Sequence, residues 1–199
     1  MKRLLSNAGV VEGYKIDKDA VLGDRKEQDQ LMLRLFPKQV EQGPQKPSTF
    51  NWMVSRCADA TKKTAPRELI HLLNCIRTEE ARRLENAGEQ APDDQLFDRS
   101  VFKLALPEVS QYRLNQNLYA EHSNLRPYIS KLDGEKCEHT DESLGKIWNV
   151  KASEAFRIAE SLINIGFFEK KGTREAPTFW VPFIYRDTLN LVQGRAEDE

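Results

Sequence analysis

Apolar positions along the chain fall into short helical groups divided by breaker-rich pauses. From Gln28 to Val40, Leu31, Leu33, Leu35 and Phe36 stand among charged neighbours, a spacing that predicts a helix ended or distorted by Pro37. Glu41 to Thr49, with Gly43, Pro44 and Pro47, reads as a loop. Ser48 or Thr49 then offers a hydroxyl cap to a helix carrying Phe50, Trp52, Met53 and Cys57. Pro66 suits a first helical position, because the amide hydrogen it lacks would be unpaired there, and a helix is expected through Leu69, Ile70, Leu72, Leu73 and Ile76. A second polar pause, Asn86 to Asp94, predicts a linker between a helical unit at residues 1–90 and a second unit at 91–199.

The second unit predicts a long helix from about Phe102 to Leu118 and a shorter one around Leu125 to Leu132. Thr140-Asp141-Glu142-Ser143 reads as a capped start leading into Leu144, Ile147 and Trp148. Lys151-Ala152-Ser153 opens another helix through Ala155, Phe156, Ala159, Leu162 and Ile163, which Gly166 should end through a left-handed turn. Phe167 to Lys171 and Thr178 to Phe183, around the turn-rich Gly172 to Pro177, read as a β-hairpin. Trp148, Phe156, Phe167, Phe179 and Trp180 are the expected core aromatics. The expected class is therefore mainly α, a helical bundle followed by a module that closes on a hairpin.

Helix, short turn, helix and hairpin is an order that resembles the winged helix. Leu162 to Lys170 resembles the end of a recognition helix running into the first wing strand. That resemblance would put Lys151, Arg157, Lys170, Lys171 and Arg174 on DNA phosphates, with the helix in the major groove, or on a partner protein. Glu154, Glu160, Glu169 and Glu175 lie among those cations, so DNA and protein contact both stay open.

Composition narrows the function classes. The chain is 39% hydrophobic and 31% charged, with a formal net charge of −1, so no global positive field draws nucleic acid. Its longest apolar runs are broken by Lys103 or Pro182 and fall short of the ~20 residues of a membrane-spanning helix. The apolar run after Lys2-Arg3 stops at Ser6, too early for a signal peptide, and a cytoplasmic location is expected. Cys57, Cys75 and Cys137 are odd in number and form no C-x-x-C pair, so reduced thiols are expected. His71, His122 and His139 are scattered and no G-x-S-x-G is present; neither a metal, a cofactor nor a catalytic site is expected.

Thr64-Ala65-Pro66-Arg67-Glu68-Leu69-Ile70-His71-Leu72-Leu73-Asn74 resembles the lid helix of AAA+ and STAND-type bacterial ATPases. The resemblance implies that Arg67 is a sensor reaching the γ-phosphate of a bound nucleotide, a task suited to a guanidinium at a helix N-terminus. Arg56 and Asp59 belong to the same resemblance, although the glycine expected after them is missing. Lys62-Lys63-Thr64 has no upstream G-x-x-x-x-G-K-[ST], and no strand ends in Walker B acids, so the chain lacks a nucleotide-binding core. The expected function is a non-catalytic lid and winged-helix module that works with a P-loop ATPase domain or subunit and contacts DNA or protein. The alternative is an autonomous winged-helix transcriptional regulator.

Overall fold

A computed structural model describes residues 5–87 and 95–196. Three short helices open it: α1 (Ala8–Gly13), α2 (Lys18–Gly23) and α3 (Arg25–Leu35). Asn7, Asp17 and Asp24 cap them, each accepting from a first-turn amide that has no partner within the helix. Asp24 explains why α3 begins at Arg25, ahead of the expected Gln28. Phe36 takes an extended conformation, φ −122° and ψ 147°, because the ring of Pro37 disfavours helical geometry before it, so α3 stops at Leu35. Leu5, Ile16, Val21, Leu31 and Leu35 form a small core of their own.

Ser48, rather than Thr49, caps α4 (Thr49–Cys57) by accepting from the Asn51 amide. Pro66 is the first residue of the long α5 (Pro66–Ala87). The expected 102–118 helix is a nearly continuous rod of α6 (Val101–Leu104), α7 (Leu106–Tyr112), a π-helical turn (Arg113–Leu118) and α8 (Tyr119–Glu121). After α9 (Arg126–Ser130) come β1 (Lys136–His139), α10 (Asp141–Trp148), α11 (Ala152–Asn164), β2 (Glu169–Gly172), β3 (Pro177–Trp180), α12 (Phe183–Arg186) and β4 (Val192–Arg195). The strands form one sheet in the order β2-β3-β1-β4, in which β3 runs antiparallel and β4 parallel to β1. Helix thus predominates, joined by one small four-stranded sheet.

Two differences from expectation have local causes. The strand expected over Thr178 to Phe183 stops at Trp180, because Pro182 has no amide to donate to a ladder, and Phe183 starts α12 instead. Strand β4 carries Gln193 and Gly194 at its centre and has no alternating apolar pattern by which to announce itself.

Side-chain burial joins both halves of the chain. Trp52, Met53, Leu72 and Ile76 share one continuous core with Phe102, Leu144, Phe167 and Tyr185. The linker expected around residue 90 lies outside the described residues. Leu33, Phe50 and Ile70 of the predicted apolar faces are exposed, and Phe156 and Trp180 are only half-buried.

Two glycines shape the C-terminal half. Gly166 has φ +77°, and around it the Phe167 and Gly166 amides donate to Leu162 and Ile163 carbonyls at 2.9 and 3.0 Å, the paired bonds that close a helix through a left-handed residue. Gly145 lets the α10–α11 turn fold tightly: a Cβ there would sit 2.9 Å from the Val150 carbonyl oxygen. At the start of α10, Thr140 and Ser143 cap each other's backbone amides reciprocally. Among the described residues, no helix is long and apolar enough to cross a membrane.

Candidate functional site

The turn from α4 into α5 is held by Asp59, whose carboxylate accepts from the Thr61 amide at 2.9 Å and the Thr61 hydroxyl at 2.6 Å. This turn leans on the end of α11. The Ala60 amide donates to the Gly166 carbonyl at 2.9 Å, and Lys62 pairs with Glu169 at 2.5 Å.

Arg113, the first residue of the π-helical turn, is tied into this junction. Its guanidinium donates to Glu68 at 2.8 Å and to Asp59 at 3.2 Å, with all three side chains largely buried. Burial opposes the charge on Arg113, yet Tyr185, Glu68 and Asp59 together hold its pKa above the ordinary value. Tyr185 is fully buried close by, and its hydroxyl is pushed up to about 12, chiefly by that burial. The hydroxyl faces the guanidinium without meeting hydrogen-bond geometry. Four segments distant in sequence, the 58–65 turn, the start of α5, the π-helical turn and α12, therefore meet at one guanidinium.

Arg67 stands beside this cluster. Its side chain is 67% exposed, and its Nε lies 3.3 Å from a Glu68 oxygen that Arg113 also contacts. First-turn placement suggests a solvated carboxylate for Glu68, but the residue is only 6% exposed. Arg67, Glu68, His71, Asn74, Arg113 and Asn117 help to line a cavity of about 310 Å³. The second Glu68 oxygen and the Asn117 amide nitrogen are buried without a hydrogen-bond partner. Most of the Arg67 guanidinium therefore faces solvent, although its Nε is paired with Glu68.

The cations expected to hold DNA or a partner are divided. Lys151 is exposed at the N-cap of α11 and Arg157 on its outer face, which also carries Ser153, Glu154, Glu160, Ser161 and Asn164. Lys170 Nζ lies 3.4 Å from Glu160 and 4.7 Å from the centre of the Phe156 ring. Lys171 Nζ lies 3.9 Å from the Trp180 ring centre, and Arg174 is exposed at the β2–β3 turn. The helix face is therefore mixed in charge, and one lysine of the hairpin is paired with a glutamate of that face.

Sequence reading alone passed over Arg113 and Tyr185, and also the aromatic–cation stack that anchors α12. In that stack Arg56 lies 3.7 Å from the Phe183 ring centre, and Arg186 lies 4.4 Å from Trp180 and 4.3 Å from Phe183. Arg186 is locked by donating to the Val181 carbonyl at 2.8 Å and to Gln193 at 2.6 Å. Arg56 and Asp59, three residues apart, serve different partners: Arg56 pairs with Glu41 at 3.2 Å, Asp59 with Arg113. No linear motif links these residues, because each finds its partner across a long sequence gap.

No known protein family, curated protein or solved structure significantly matches the chain.

Proposed function

We propose that this chain is a non-catalytic lid and winged-helix module of a P-loop ATPase system, with the nucleotide-binding core supplied outside these 199 residues. In this reading Arg67 senses the γ-phosphate. The segment from β1 through β3 is the winged helix, with α11 as its recognition helix, and it contacts a partner protein or DNA.

The observation that carries the reading is the chain of contacts running from the exposed Arg67 guanidinium to Glu68, Arg113 and Asp59, whose turn is bonded to Gly166 at the end of α11. A phosphate that draws Arg67 away from Glu68 acts on a carboxylate whose other partner holds the junction to the winged helix. Support for the winged helix comes from the order strand, helix, tight turn, helix and hairpin, and from β1 pairing with the hairpin strand β3. The mixed charge of the α11 face and the Lys170–Glu160 pair favour protein over DNA as its partner.

Two measurements test the reading. Tagged chain is used to capture partners from its source cells in the presence of an ATP analogue or ADP. The expected outcome is a protein containing a G-x-x-x-x-G-K-[ST] motif, captured preferentially with the ATP analogue and less by Arg67→Ala. In parallel, fluorescence anisotropy follows binding to nonspecific duplex DNA at low and moderate salt. Salt-sensitive binding that is lost in a Lys170→Glu/Lys171→Glu variant, with no nucleotide-dependent capture, overturns the proposal in favour of an autonomous regulator.

A further inference from the structure

His71 and Cys75 are four residues apart on α5, so one helical turn brings their side chains to the same face. Helix α7 packs along α5 and sets Glu108 against the pair. His71 Nε2 stands 4.0 Å from a Glu108 oxygen, and one donor atom from each of the three residues lies within 4.8 Å of the other two. Among the described residues this is the one such group of metal-competent side chains. Donors around a tetrahedral zinc ion are about 3.3–3.6 Å apart, given Zn–N and Zn–O near 2.0–2.1 Å and Zn–S near 2.3 Å. Closing the donors from within 4.8 Å to that spacing calls for movements on the order of 1 Å.

Burial across the triad is graded. Cys75 is buried, His71 half-buried and the Glu108 side chain 61% exposed, so the sulfur lies deepest and the carboxylate stands at the mouth, beside solvent. The His71 ring also meets the Tyr112 ring edge-on at 4.7 Å, which restricts its orientation. A set of one imidazole, one thiolate and one carboxylate suits a borderline-soft ion and disfavours magnesium or calcium, which prefer oxygen alone.

We propose that His71, Cys75 and Glu108 bind a zinc ion, with the fourth tetrahedral position left to water or to a ligand. Binding replaces the thiol proton of Cys75 with a Zn–S bond and releases that proton to solvent. The ion cross-links α5 to α7 and lies at the rim of the cavity beside Arg67, because His71 lines both. The site is independent of the lid reading, since no part of it requires a nucleotide or a second polypeptide.

Cobalt(II), a spectroscopic stand-in for zinc, tests the proposal on reduced, chelator-treated full chain. The expected result is a thiolate-to-cobalt charge-transfer band in the near ultraviolet, with visible bands of tetrahedral intensity. These should saturate at one ion per chain and vanish on adding zinc. Calorimetric zinc titration should show affinity falling by at least about 10–100-fold in His71→Gln and in Glu108→Gln, as losing a direct ligand costs no less than losing a supporting one. Both residues reach the surface, so these variants keep the test interpretable even if Cys75→Ser, which should abolish the sulfur band, fails to fold. A wild-type chain with no thiolate band at one equivalent, or a zinc affinity unchanged in both His71→Gln and Glu108→Gln, overturns the site.

Discussion

Arg113 and Glu68 lie 45 residues apart in sequence, and their side chains meet at 2.8 Å inside the protein. The pair is largely buried and is completed by Asp59, so three segments meet at one buried guanidinium, with Arg67 pairing Glu68 from the solvent side. Removing one member of such a cluster costs more than the pair itself contributes, because a charge is left behind in a poorly solvated place. Arg113→Ala is expected to lower stability by about 3–5 kcal/mol, on the order of 10 °C in Tm for a chain of this size. Thermal and urea unfolding measure it, and an effect below about 1 kcal/mol would show that water replaces the guanidinium at no great cost.

Arg67 makes the opposite prediction. With two-thirds of its side chain in solvent, Arg67→Ala should change unfolding free energy by no more than about 0.5 kcal/mol. Nucleotide-dependent partner capture lost in this variant therefore reports function and not folding, provided that its urea midpoint matches the parent's.

Gly166→Ala tests the junction from the other side. Alanine in a left-handed conformation costs roughly 1–2 kcal/mol, and its Cβ would also sit 3.2 Å from the Asp59 carboxylate. Denaturation should show a loss of at least about 1 kcal/mol, with a further penalty if Asp59 is pushed off Arg113. Asp59→Ala combined with Gly166→Ala should then cost less than the sum of the single variants, a coupling that a double-mutant cycle reads directly.

Acid should destabilise the protein through His139. This residue is fully buried on β1, and desolvation holds its pKa at about 4, against 6.5 for the ordinary side chain. Its Nδ1 lies 3.3 Å from the Ser143 hydroxyl. As pH falls from 6.5, the unfolded chain takes up the proton first, so stability declines until native His139 also titrates near 4. The loss across that window is roughly 3 kcal/mol, and His139→Gln should flatten the curve there. Glu41 acts at lower pH. Its carboxyl is held down to about 2, first by the Lys46 hydrogen bond and with help from Arg56, so its contribution is present above 4.5 and disappears as pH falls through about 2.

The three thiols should be silent in the native chain. Cys57, Cys75 and Cys137 are all buried, and burial pushes the Cys57 thiol up to about 12, leaving almost no thiolate at neutral pH. A chromogenic disulfide reagent should detect none of them before unfolding and all three in denaturant. Rapid reaction of one thiol in the native chain would mean that its segment opens locally.

Much of the local structure follows from the sequence by itself. The helix at Pro66, the capped start at Thr140, the two helices after it, the left-handed stop at Gly166 and the hairpin beyond all arise from contacts within a few residues. Caps, proline rings and glycine backbones act on their immediate neighbours, so their effects are legible in order along the chain. The breaks at Lys103 and Pro182 likewise agree with the finding that, among the described residues, no helix is long and apolar enough to cross a membrane.

Only the tertiary structure decided which side chains act together. Glu68 stands where first-turn carboxylates are normally solvated, and it is buried because Arg113 arrives from a helix 45 residues away. Trp180 looks like core but is half-buried, and its ring instead meets the cations of Lys171 and Arg186. His71 and Cys75 share a face by helical period, yet Glu108 joins them only because α7 lies against α5. Buried charges and mixed donor sets are set by long-range packing, whose register depends on the whole core, and no local pattern of hydrophobic and polar residues encodes it.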